Sequence, residues 1–130
     1  MECCEIFFFS SDKARGHEQR NKFHLYVCEA NERDDGDRIF LFINKSNSYA
    51  DGFEIRKADG YPFLLLDFSF IGCSATVAYL DEYLDGHIGE PVGKLRKEDI
   101  DPLITHLEAS TVLEDHNIHR ISAALRALKD

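Results

Sequence analysis

From Glu5 to Tyr79 the apolar residues come in short blocks separated by turn-forming residues, the pattern of a strand-rich region. Glu5-Ile6-Phe7-Phe8-Phe9 has strand composition and ends at Ser10-Ser11-Asp12, and Phe23-His24-Leu25-Tyr26-Val27-Cys28 is a second β-rich run. Ile39-Phe40-Leu41-Phe42-Ile43 is apolar without alternation, which predicts a strand buried on both faces. Phe53-Glu54-Ile55 alternates and predicts a short, half-buried strand. The runs Phe63 to Asp67 and Phe68 to Tyr79 predict the last strands, with Pro62 confining the first of them to an edge or a turn. Residues Ile39 to Tyr79 therefore read as the core of a small β-barrel.

Polar segments punctuate these blocks. Lys13 to Lys22 holds Lys13, Arg15, Arg20 and Lys22 against Glu18 alone, and reads as a loop with the most basic surface of the chain. Asp35-Gly36 is a hairpin signal, Asn44-Lys45-Ser46-Asn47-Ser48 a polar loop and Asp51-Gly52 a turn. Asp81, Glu82, Asp85 and Glu90 form an acidic connector around Gly86 and Gly89. After Lys97 the period changes: Ile100, Leu103, Ile104 and Leu107 lie on one helical face. Pro102 is best accommodated in a first turn, so this helix is expected to begin near Asp101. A second helix carries Ile118, Ile121, Leu125 and Leu128 on one face, with Arg126 and Lys129 in its last turn. The expected fold is α+β in one domain: a barrel over residues 1–80, a connector over 81–96 and two C-terminal helices over 97–130.

Composition fits that picture. The 130 residues are 44% hydrophobic and 30% charged, and ten Phe and five Tyr suit a β-leaning interior. Twenty-four acidic against 15 basic side chains leave a net charge of −9, which excludes a broad polyanion-binding surface but not a local basic groove. Of four cysteines, Cys3 and Cys4 are adjacent, and Cys28 and Cys73 sit in strand-like runs. With no secretion signal and no stretch near the roughly 20 apolar residues of a membrane span, the expectation is a cytoplasmic chain with reduced thiols.

Candidate chemistry is sparse. His116-x-x-His119 puts two imidazoles on one helical face without an evident third ligand, so no metal is expected. Cys28 or Cys73 could act as nucleophile with His24, His17 or Asp67, but strand-borne cysteines are usually small buried hydrophobes. Ser69 stands beside Asp67 without a G-x-S-x-G elbow. Gly86-His87-Ile88-Gly89 and Gly93-Lys94 match neither phosphate-binding glycine pattern. The loop Asn44–Ser48 is the stronger candidate, since it gathers amides, hydroxyls and a cation at the end of a buried strand.

Three segments together resemble the PemK/MazF-like toxin superfamily. They are Lys22-Phe23-His24-Leu25-Tyr26-Val27 followed by Phe40-Leu41-Phe42-Ile43-Asn44; Gly60-Tyr61-Pro62-Phe63-Leu64 with Asp67-Phe68-Ser69-Phe70-Ile71; and Val92-Gly93-Lys94-Leu95. The resemblance implies an SH3-like barrel, often a homodimer, paired with a small antitoxin. In the catalytic members it implies an endoribonuclease cleaving single-stranded RNA without metal or cofactor. Such cleavage needs an activated 2′-OH and a cation on the phosphate. The matching positions are Arg38 (or Arg33) and Ser46, with Lys45 as auxiliary cation, while Arg33, Asn44 and Asn47 would contact RNA. The rival reading is a non-catalytic SH3-like interaction module of a phage or mobile element, which the net charge favours.

Overall fold

Burial on both faces of one strand organises the molecule. A computed structural model describes residues 1–13, 20–47 and 50–129. Seven antiparallel strands form one curled sheet: β1 (Glu5–Ser11), β2 (Arg20–Glu29), β3 (Arg38–Asn44), β4 (Phe53–Arg56), β5 (Phe68–Ile71), β6 (Val77–Tyr79) and β7 (Gly93–Lys94). The strand order is β4-β5-β3-β2-β1-β7, and β6 pairs with the first half of β3 while β5 pairs with its end. Three helices follow or interrupt the strands: α1 (Asp81–His87), α2 (Lys97–Glu108) and α3 (Asp115–Lys129). The architecture is thus α+β, with the sheet forming a half-barrel.

Along β3 the alternation of a strand divides the apolar run between two cores. Ile39, Leu41 and Ile43 join Ile6, Leu25 and Val27 on the helix side, packed against Leu103, Leu107, Ile121 and Leu125. Phe40 points the other way and meets Phe7, Phe9, Tyr26, Val77, Tyr79 and Leu84. Opposite β3, a bulge in β2 between Tyr26 and Cys28 breaks the alternation, so Val27 and Cys28 both pack on the helix side.

Several expectations change in three dimensions. Arg20, Asn21 and Lys22 open β2 rather than ending a loop, and residues 14–19, which include His17, lie outside the described residues. The β2–β3 connection is a long loop closed by the Ala30 N–H donating to the Asp37 carbonyl (3.0 Å), not a tight Asp35-Gly36 turn. Gly36 instead lets the loop lie against β6, where a Cβ would come within 2.7 Å of the Tyr79 backbone. Residues 63–67 form turns rather than a strand.

The helices differ from expectation in the same way. The acidic connector holds α1, whose Asp81 and Glu82 suit the positive end of a helix and whose buried Leu84 anchors it. Helix α2 begins at Lys97, so Pro102 lies inside it. The proline is exposed, while Ile100, Leu103, Ile104 and Leu107 are buried. No helix among the described residues is long and apolar enough to cross a membrane.

Candidate functional site

The residues singled out in the sequence fall at opposite ends of β3. Arg38 opens the strand and Asn44 closes it, so six residues at about 3.3 Å each separate them by roughly 20 Å. Arg38 donates from Nε to Asp81 Oδ1 (3.1 Å) and from Nη1 to the Tyr26 hydroxyl (3.2 Å), with Glu29 at 3.7 Å. The Tyr26 hydroxyl and the Asp81 carboxylate raise its already high pKa. Around it six carboxylates, Glu29, Glu32, Asp34, Asp35, Asp37 and Asp81, line a depression of about 620 Å³. The structure therefore does not bring Arg38 to Ser46, because a full strand length and three tethers intervene.

A groove of about 1100 Å³ runs from the Asn44 end of β3 past Val77 and Ala78 of β6 to the β2–β3 loop, which contributes Arg33, Asp34 and Asp35. Phe8 and Phe23 of β1 and β2 line it, as do Phe42 and Phe70 of β3 and β5. Five basic side chains line it (Lys13, Arg20, Lys22, Arg33 and Lys45) against the carboxylates of Asp34, Asp35 and Asp51. Of the expected site residues, Arg33, Asn44, Lys45, Ser46 and Asn47 all border this groove, whereas Arg38 does not. Lys45 and Ser46 are exposed, and Ser48 lies outside the described residues.

Among the basic side chains of the groove, Lys22 is fixed by an amide and a ring. Alternation along β2 puts Lys22, His24 and Tyr26 on one face, and the pairing of His24 with Phe42 sets Lys22 beside Phe42 and Asn44. Its ammonium donates to Asn44 Oδ1 (2.6 Å) and sits 4.4 Å from the centre of the Phe42 ring. Burial, reinforced by the charge of Arg20, pushes its pKa down. An ammonium has three N–H donors, and Asn44 engages one of them. This residue was visible in the sequence only as part of a basic stretch; the strand register reveals its position.

Asn47 has a different task from the one expected. Its Oδ1 accepts from the Gly52 N–H (2.7 Å) and its carbonyl from the Ala50 N–H (3.0 Å), so it closes the β3–β4 turn rather than presenting its acceptors to a ligand. A Cβ at Gly52 would meet Phe70 Cβ at 2.6 Å and Asn47 Oδ1 at 2.9 Å, which is why this turn takes glycine.

Beneath the groove runs a buried hydrogen-bonded chain. Since the Lys22 carbonyl can only accept, His24 Nδ1 carries the proton and donates to it (2.8 Å). Nε2 then accepts from the Tyr79 hydroxyl (2.8 Å), which in turn accepts from Ser11 Oγ (2.6 Å). Burial drives the His24 pKa down to about 3, and its ring stacks on Phe9 at 3.9 Å. His24 and Ser11 are fully buried, so this chain supports the sheet and is closed to a substrate.

The nucleophile candidates fare similarly. Cys73 is fully buried, donates to the Ile71 carbonyl (3.4 Å), and is pushed up to about 12 by burial. Burial raises Cys28 to about 11. Ser69 is buried and Asp67 exposed. Among the described residues no group of three or more His, Cys, Asp or Glu is placed to hold a metal ion.

Comparisons of the chain with protein-family models, with curated proteins and with solved structures find no match, so the likeness to the PemK/MazF superfamily rests on the three segments quoted above.

Proposed function

We propose that the groove at the end of β3 binds single-stranded RNA, and that the protein is a toxin-type endoribonuclease of the PemK/MazF kind. The observation that carries this reading is the gathering of five basic side chains and four phenylalanines in one groove of a chain with net charge −9. Phosphates pair with Lys and Arg, and unstacked bases lie on aromatic rings. A duplex would meet the acidic remainder of the surface, whereas a single strand needs only the groove. In such a site Lys22 is the cation for the phosphate, with Lys45 and Ser46 at the rim and Arg38 outside it.

The test is anisotropy of a labelled, unstructured RNA at several salt concentrations, with cleavage followed on denaturing gels in the presence of a chelator. Lys22→Met is expected to weaken binding about tenfold and to reduce the salt slope by about one. Arg38→Ala should leave both unchanged. Salt-independent or undetectable binding by the folded wild type would remove the RNA reading. Binding without cleavage would remove the nuclease alone.

One observation favours the rival reading, a protein-interaction module. Leu65 and Val112 on the groove wall are 67% and 66% exposed, with Leu66 and Phe68 nearby in sequence also exposed. Apolar exposure of this kind suits a protein partner, whether an antitoxin-like chain or a second copy. Light scattering at rising concentration separates a homodimer from a monomer awaiting another partner.

A further inference from the structure

Away from the groove, the N-terminal turn brings two thiols together. Adjacent side chains of an extended chain point to opposite sides, which would part Cys3 from Cys4. Cys4 instead has φ 74°, in the left-handed region, and the two Sγ atoms lie 3.6 Å apart. A residue with a Cβ holds that conformation only where its surroundings enforce it. Here they do: the Cys4 N–H donates to the Tyr26 carbonyl (2.7 Å) and the Leu95 N–H donates to the Cys4 carbonyl (2.9 Å). β2 on one side and the segment leading into α2 on the other thus clamp the strained turn.

The two sulfurs are not equivalent. Cys3 is half-buried and Cys4 is fully buried. The hydrogen bond from Cys4 holds the Cys3 thiol below its ordinary range, helped by the charge of Lys94, and the same contact lifts Cys4 above it. Cys3 therefore offers a half-buried sulfur with a second sulfur in contact behind it. Soft ligands for soft centres are what such a pair supplies.

We propose that Cys3 and Cys4 form a vicinal dithiol site for a thiophilic centre that bridges two sulfurs, the class that includes Cu(I) and trivalent arsenic. Capture of an aryl arsenoxide replaces As=O and two S–H groups by two As–S bonds and releases one water, with arsenic trivalent throughout. Capture of Cu(I) displaces two protons and leaves a bis-thiolate of net charge −1, beside the Lys94 ammonium. The site is independent of the RNA reading, since none of its residues lines the groove. Cys28 is the internal control, being a third cysteine, half-buried like Cys3, whose pKa burial raises to about 11.

The probe is phenylarsine oxide added to the folded full-length chain and read by intact-mass spectrometry. One adduct, heavier by the reagent less one water, is expected on the wild type and on Cys28→Ser. Cys3→Ser and Cys4→Gly should each weaken capture by about 10²-fold or more, the loss expected when two linked contacts become one. Glycine accepts the positive φ, so Cys4→Gly is expected to fold, and a thermal melt checks that it does. A second arm titrates Cu(I) against a chromophoric chelator; competition assigns the site to the metal, and arsenical capture without it assigns the site to the metalloid. No adduct on the folded wild type, or an adduct that survives Cys4→Gly, overturns the proposal.

Discussion

At its first residue β3 presents Arg38 to Asp81, Glu29 and the Tyr26 hydroxyl; at its last it presents Asn44 to Lys22. The first end lies in a depression lined by six carboxylates, the second in a groove lined by five basic side chains. The ends of the strand are roughly 20 Å apart, yet the two surfaces meet at Asp34 and Asp35 of the β2–β3 loop, which line both. A net charge of −9 describes neither of them. An arginine among carboxylates is neutralised where it stands, whereas the amide and the ring that hold Lys22 carry no opposite charge. Sign and setting, not residue type, separate the two ends.

Because the ends share a strand, removing what holds its middle should break both at once. Phe40→Ala takes a fully buried ring from among Phe9, Tyr26 and Tyr79 and is expected to cost about 3–5 kcal/mol. Urea unfolding followed at a probe near each end should show one shifted transition; two separate transitions would mean the ends are held independently.

The basic end has a pH dependence of its own. His24 is neutral when folded, with its pKa lowered from 6.5 to about 3. Above pH 6.5 neither folded nor unfolded chain protonates it; as pH falls from there towards 3 only the unfolded chain takes up the proton, so stability drops. The slope approaches about 1.4 kcal/mol per pH unit, or about 2 kcal/mol lost by pH 5. In an NMR titration the His24 ring signals should stay those of the neutral Nδ1–H form at pH 5. A midpoint near 6.5 would mean that the chain from Ser11 to His24 is open to water.

The last change touches the β2–β3 loop, where the two surfaces meet. Arg120 on α3 donates two hydrogen bonds to Asp34 (2.7 and 3.0 Å), pinning the β2–β3 loop to the helix. Asp34→Asn is expected to cost about 1.5–3 kcal/mol at neutral pH, and less in acid, since Arg120 holds the Asp34 carboxyl below its ordinary range. Urea melts at pH 7 and pH 3 read that difference. Because Asp34 also lines the groove, removing its charge should strengthen rather than weaken any binding of RNA there, and weaker binding by the folded variant would count against the RNA reading.

Parts of this were legible beforehand because they depend on local pattern. The run Ile39–Ile43 has no polar face and so had to be buried on both, and Ile121 and Leu125 recur at helical spacing because α3 buries one side. Helix α1 was not legible, since only Leu84 of its seven residues is buried and an acidic stretch resembles a solvated connector. Helix α2 starts earlier than local preference implies, because Pro102 disfavours a helix interior locally while burial of four apolar neighbours outweighs that preference. For the site, the Asn44–Ser48 loop could be picked out from its composition. That Asn47 is engaged in closing a turn, and that Lys22 meets Asn44, depend on partners distant in the chain.

By itself the sequence determined the strand-rich region, the amphipathic C-terminal helices, the negative net charge and the adjacency of Cys3 and Cys4. These follow from residue order and side-chain period, which act over a few residues. Only the tertiary structure decided which charges are neutralised by carboxylates, because that depends on strand register and on contacts such as Arg38 with Asp81, 43 residues apart. It also decided that Cys3 and Cys4 meet, because β2 and the approach to α2 hold a backbone angle that Cys4 would not adopt alone.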